Sequence, residues 1–140
     1  EKAIQKLDAS IGTTAKACPL FVPLVEEGWL KGGVPTKIAE TYLDELVAEG
    51  IDTLILGCTH YPLLIPVLEK VVGDNIQIVD SAETTARYAV QWLNDLGLLD
   101  NDSSVGLLEN YVTDLPVRFK RVAHQFLGRE IDHVSSVHIG

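Results

Sequence analysis

The chain has 140 residues, enough for one domain with a sizeable core, and its 46% hydrophobic and 22% charged residues suit a globular protein in water. A net charge of −9 argues against non-specific nucleic-acid binding, which needs cations to neutralise phosphates, and against docking on an anionic membrane. Two cysteines are too few for a disulfide scaffold, no apolar run is long enough to span a bilayer, and no signal-like start is seen, so a reduced, cytoplasmic protein is the expectation.

Glu1 to Leu7 reads as the tail of a helix that begins upstream, so the chain is expected to be part of a longer protein. Residues 8–19 carry weak signals for a short strand. Leu20 to Gly28 predicts one helical turn beginning near Pro23 and stopping at Gly28. Gly32-Gly33 opens a loop that is no phosphate cradle, since no Lys-Ser/Thr pair follows. Thr36 to Glu49 is the clearest helix: Ile38, Tyr42, Leu43, Leu46 and Val47 share one face, and Gly50 suits the C-terminal cap.

Ile51 to Gly57 is a near-continuous apolar strand, the pattern of a sheet covered on both faces. A helix follows over Leu64–Val72 and a strand over Ile76–Val79. A helix is expected from Ala82 to Leu96, with Ala86, Ala89, Val90 and Leu93 on its inner face and Gly97 ending it. Residues 98–106 are the one linker-like segment. Beyond it come a strand over Leu107–Thr113, a helix over Pro116–Leu127 with Phe119, Val122, Ala123 and Phe126 inward, and a strand over Val134–Ile139. Alternating helices and strands predict an α/β fold with a parallel sheet.

Chemistry concentrates where the Ile51–Gly57 strand ends. Gly57 permits a tight turn there, and Cys58, Thr59 and His60 follow at once. This is the carboxyl end of a parallel strand, where ligands bind on α/β sheets. A helix N-terminus just ahead, a nearby imidazole and partial exposure all favour thiolate at Cys58. The same thiol also reads as a small buried hydrophobe. Thr59 suits a carboxylate contact or a helix cap. His60 suits a proton relay or a surface histidine. Glu26 or Glu27 either orients His60 or is solvated charge. Cys18 reads more simply as packing than as a second catalytic thiol. A zinc site from Cys58, His60 and Cys18 has no usual ligand spacing, so no metal is expected. His124 reads as a helix-surface residue, and His133 and His138 lie in the last strand without metal-site company.

Two stretches together resemble a known family. Leu56-Gly57-Cys58-Thr59-His60-Tyr61-Pro62-Leu63-Leu64 resembles the second cysteine signature of bacterial glutamate racemases. The block from Ala17-Cys18-Pro19-Leu20 through Glu26-Glu27-Gly28 resembles another block of that family, as do Asp80-Ser81-Ala82 with Thr85-Ala86, and Tyr111-Val112-Thr113-Asp114. The resemblance covers essentially the whole chain. It implies a parallel-sheet α/β sandwich of the aspartate/glutamate racemase type, here incomplete, in which two lobes face each other across the substrate. Residues 1–86 would form most of the second lobe, and 87–140 would return to a first lobe this chain does not encode.

The resemblance also implies the activity: interconversion of L- and D-glutamate without a cofactor, by two cysteines on opposite faces of the α-carbon, supplying D-glutamate for peptidoglycan. Cys58 would be one of those cysteines, Thr59 a substrate contact, His60 the assistant of Cys58 and Glu26 the acidic partner of His60. The first catalytic cysteine is absent, and Cys18 does not match it. The isolated chain is therefore expected to be inactive without the missing half; a homodimer is left open. Related aspartate racemases tend to carry an acid where His60 stands, so His60 favours glutamate. The alternatives are a racemase of another amino acid and a non-catalytic module that holds a carboxylate at Thr59.

Overall fold

The computed structural model describes residues 2–100 and 106–139, so most of the linker-like segment lies outside the described residues. The elements run α1 (Lys2–Leu7), α2 (Phe21–Glu26), α3 (Gly33–Ala48), β1 (Thr53–Leu56), a 3-10 turn (Tyr61–Leu64), α4 (Ile65–Val72) and β2 (Gln77–Asp80). They continue with α5 (Ser81–Asp95), β3 (Asn110–Val112), α6 (Pro116–Leu127) and β4 (Val134–Ser136). The chain divides into two compact units, Glu1–Asp80 and Ser81–Gly140.

In the first unit β1 and β2 pair in parallel, with Thr53 opposite Gln77 and Leu56 opposite Asp80. Parallel pairing needs a crossover, and the 3-10 turn with α4 supplies it. Leu54, Leu56 and Ile78 turn to the core, where they join Leu43 and Leu46 of α3, Leu64, and Val67 and Leu68 of α4. Phe21, Leu24 and Val25 of α2 complete that cluster. Leu68 and Val25 are fully buried, and burying a side chain of that size stabilises by about 1.5–3 kcal/mol. An ion pair of 2.7 Å between Lys16 and Glu45 ties the segment before α2 to α3.

Two glycines set where helices stop. Gly28 has φ 78°; its N–H bonds the Val25 carbonyl, and the Trp29 N–H bonds the Leu24 carbonyl. Gly50, φ 80°, repeats the arrangement with Val47 and Leu46 and turns the chain from α3 toward β1. These are paired backbone bonds that a left-handed residue makes at a helix end, and only glycine takes that conformation without strain. The first of them closes α2 directly after Glu26.

In the second unit β3 and β4 pair in parallel, Asn110 opposite Val134 and Val112 opposite Ser136. α6 packs against β4. Among the described residues of this unit, Val112 and Ile131 are buried.

The α/β fold with parallel strands agrees with the expectation from sequence, and the helix over Pro116–Leu127 has the expected bounds. Several details differ. Residues 8–19 form no strand. α2 begins before Pro23, at Phe21. α3 begins at Gly33, because Pro35 falls in the first turn, where its missing N–H would have no intrahelical acceptor. The 51–57 strand is shorter, and only one of its faces is covered: Leu56 is 4% exposed and Ile55 is 55% exposed. On α5 the expected inner face is solvent-exposed, with Val90 and Leu93 both outside any core and no residue of the helix buried. On α6, Val122 and Ala123 are half-buried while Phe119 and Phe126 are exposed. The last two strands pair only over Asn110–Val112 and Val134–Ser136.

Candidate functional site

The site is built where β1 ends. Leu56 anchors the strand end in the core, and the chain then leaves the sheet through Gly57. Gly57 does not take a positive φ, and an added Cβ there would meet nothing within 4 Å. The tight backbone geometry expected at this glycine is therefore not what the turn needs. The turn is held instead by the Tyr61 N–H on the Cys58 carbonyl and the Leu63 N–H on the His60 carbonyl, which start the 3-10 turn. Pro62 lies near the start of that turn and Pro66 near the start of α4, both places where a helix tolerates proline.

This local structure brings the side chains of Cys58 and Thr59 beside the His60 imidazole. Cys58 Sγ lies 4.0 Å from His60 Nδ1, and Thr59 Oγ1 lies 3.5 Å from the same nitrogen. On the other edge of the ring, His60 Nε2 lies 3.8 Å from Glu26 Oε1. His60 and Glu26 are both partly exposed, at 28% and 33% of their side chains. Cys58 is a free, half-exposed thiol, and Thr59 is exposed.

The order of these contacts has a chemical consequence. A carboxylate only accepts hydrogen bonds, so Glu26 favours the proton on Nε2. Nδ1 of the neutral ring is then an acceptor facing the thiol. A proton leaving Cys58 can pass to Nδ1, and the imidazolium formed would sit beside the Glu26 carboxylate. At 3.8 Å the Glu26 contact is electrostatic attraction rather than a formed hydrogen bond, and catalytic contacts of this kind commonly tighten when a ligand binds.

The end of α2 places Glu26 and Glu27 differently. Glu26 is its last residue and faces His60, whereas Glu27 is the exposed C-cap. Cys18 is remote in character from Cys58: it is buried, its Sγ lies 3.6 Å from the Lys16 carbonyl, and burial pushes its thiol pKa up despite the opposing charge of Lys16. His124 pairs with Glu130 at 3.3 Å on the surface of α6, and His133 and His138 are exposed on either side of β4. Among the described residues there is no group of three His, Cys, Asp or Glu placed to hold a metal ion, and no helix is long and apolar enough to cross a membrane.

One residue at the site escaped the sequence reading except as part of a motif. Tyr61 donates its hydroxyl to the Cys18 carbonyl at 3.2 Å, and its ring meets Phe21 edge-on at 5.2 Å. An aromatic ring directly after His60 was the available signal, but nothing local says which backbone carbonyl it would reach.

Known proteins resemble this chain over nearly its whole length. The chain matches no protein-family model. It is 44% identical to a glutamate racemase of Geobacter metallireducens over 136 residues, which are 97% of this chain and 50% of that protein. It is 42% identical to a glutamate racemase of Neisseria meningitidis serogroup A over 139 residues, 99% of this chain and 51% of the relative. Among solved structures, glutamate racemase from Francisella tularensis in complex with D-glutamate superposes with a TM-score of 0.87 at 31% identity, covering 98% of this chain and 51% of that one. The chain is a homologue of glutamate racemases and spans about half the length of the curated relatives it matches.

Proposed function

We propose that this chain contributes one acid–base centre to a glutamate racemase, with Cys58 as the group that exchanges a proton with the α-carbon. The observation that carries the reading is the chain of contacts from Cys58 Sγ through the two ring nitrogens of His60 to Glu26. It lies at the carboxyl end of β1. In one direction Cys58 acts as thiolate and takes the α-proton; in the other it acts as thiol and returns one. His60 shuttles the thiol proton and Glu26 holds the imidazole in the useful orientation. Thr59, exposed beside Cys58, would hydrogen-bond the substrate's carboxylate. D-glutamate bound in the Francisella tularensis relative supports glutamate as the substrate. No cofactor enters the scheme.

The second thiol, for the opposite face of the α-carbon, would come from the half of the relatives that this chain does not span, and Cys18 is too buried to serve. We place the protein in a reducing cytoplasm, where both thiols stay free and D-glutamate is drawn into peptidoglycan. The test is to follow optical rotation of L- and D-glutamate with the full-length protein and with residues 1–140 alone. The proposal expects turnover of both enantiomers by the full-length protein, none of aspartate, and little or none by residues 1–140. Near-normal turnover by residues 1–140 would contradict the two-thiol assignment. Binding of glutamate without turnover by the full-length protein would favour a carboxylate-holding module instead.

A further inference from the structure

The contact between Glu26 and His60 joins two segments far apart in the chain, and something must hold them in register. α2, which ends at Glu26, is only about a turn and a half long, too short to be stable by itself. Its start is fixed from two sides. The Leu20 N–H donates to the Tyr42 hydroxyl of α3 at 3.3 Å, and the Tyr61 hydroxyl donates to the Cys18 carbonyl at 3.2 Å. That carbonyl also accepts the Phe21 N–H at 3.1 Å, so both of its lone pairs are engaged. Phe21 lies between the two tyrosines, 5.3 Å from Tyr42 and 5.2 Å from Tyr61, edge-on to each. Such pairs are directional, so the three rings fix the angle of entry into α2 as well as its position.

Tyr61 is also the residue next to His60, and its N–H bonds the Cys58 carbonyl. One residue is thus bonded through its backbone to the Cys58-Thr59-His60 turn and through its side chain to the start of the helix that carries Glu26. Burial raises the Tyr61 phenol pKa, with the two cysteines and Tyr42 acting in the same direction, so the hydroxyl remains a donor throughout the neutral range.

We infer that Tyr61 is a positioning residue that holds the Glu26 carboxylate against His60 by tying the turn after Cys58 to the Cys18 carbonyl just ahead of α2. The inference rests on the acid–base reading of Cys58, His60 and Glu26 given above. Tyr61 itself touches no reacting atom; it acts through the carboxylate.

The test is a double-mutant cycle on the full-length protein. Tyr61→Phe keeps the ring against Phe21 and removes the one hydroxyl. In the wild-type background it is expected to lower kcat about fivefold with KM little changed, the effect of losing one neutral hydrogen bond. In the Glu26→Gln background, adding Tyr61→Phe is expected to change kcat no further, since the group it positions is gone. An unchanged kcat in the wild-type background, or the same fold-loss in both backgrounds, overturns the inference; the second result would mean a general structural role. Cys58→Ala is the separate control. If racemisation survives that change, the acid–base reading fails; if it is abolished while the Tyr61 losses are equal in both backgrounds, only the role of Tyr61 fails. Should Tyr61→Phe not fold, Tyr42→Phe releases Leu20 at the other end of the same aromatic row and takes its place with the same two outcomes.

Discussion

Glu26 Oε1 stands 3.8 Å from His60 Nε2, and the opposite nitrogen of the same ring faces Cys58 Sγ at 4.0 Å. The first contact favours the proton on Nε2, with Nδ1 then placed to accept from the thiol. Glu26→Gln keeps the shape but can donate as well as accept, so the tautomer is no longer defined. Its kcat is expected to fall by roughly tenfold to a hundredfold, less than the roughly hundredfold to ten-thousandfold that a group transferring the proton itself contributes, because Glu26 acts through His60. Glu27→Gln, at the exposed end of α2, is expected to leave kcat unchanged. Steady-state racemisation by the two variants of the full-length protein checks the pair, and equal losses would contradict the assignment.

The thiols should differ in access. Cys58 is half-exposed beside an imidazole, whereas Cys18 is 8% exposed within the core. Iodoacetamide at neutral pH is therefore expected to modify Cys58 well before Cys18, and glutamate should slow the reaction. Peptide mapping after timed quenching identifies the modified residue. Early modification of Cys18 would show that the packing around Phe21 and Leu24 is looser than described.

Alkaline pH should weaken the fold through Cys18. Burial raises its pKa in the folded state, so above the ordinary thiol range the unfolded chain releases a proton that the folded chain keeps. Its contribution is fully present below the unfolded pKa and is lost as pH rises toward the folded one. Tyr61 shifts in the same direction for the same first cause, so Cys18→Ala is expected to flatten, and not abolish, the alkaline fall in stability. Denaturant midpoints of wild type and Cys18→Ala across that range measure the difference. Identical slopes would remove Cys18 from the account.

Two substitutions probe the frame that carries the site. Leu68 is fully buried in α4, and Leu68→Ala should destabilise by about 2–5 kcal/mol. Gly28→Ala forces a side chain into the left-handed turn that ends α2 and should cost about 1–2 kcal/mol. Gly57→Ala, by contrast, meets open space at an ordinary φ and should leave stability nearly unchanged. Loss of activity in Gly57→Ala with unaltered unfolding would then report the approach of substrate to the turn. Urea unfolding of each variant supplies the comparison.

Much of the fold was legible because local signals carry it. α6 has the bounds expected from sequence, with Pro116 in its first turn and left-handed Gly128 at its end, and the apolar face of α3 follows from its helical spacing. Three things were not legible, each for its own reason. Periodicity says which residues of α5 share a face and not what lies over it, so Val90 and Leu93 were expected inside and are exposed. An apolar run such as Ile51–Gly57 reads as covered on both faces, while this chain covers the Leu54 and Leu56 side and leaves Ile55 open. At the site, Cys58, Thr59 and His60 could be found together because they are adjacent. The nearness of Glu26 rather than Glu27 to His60, and the reach of Tyr61 to the Cys18 carbonyl, depend on where α2 ends and how it packs, which no local pattern encodes.

The role of Cys58 is tested most directly by α-proton exchange. The enantiomers of glutamate have equal free energy, so kcat/KM is the same in both directions for any variant, and net racemisation alone does not separate the two bases. Wash-in of deuterium at the α-carbon does. The full-length protein carrying Cys58→Ala is incubated in deuterated water with L-glutamate and, separately, with D-glutamate, and exchange is followed by proton NMR. The account predicts that racemisation is lost and that exchange from at least one enantiomer disappears, because the base on that face is gone. Undiminished exchange from both enantiomers would contradict it.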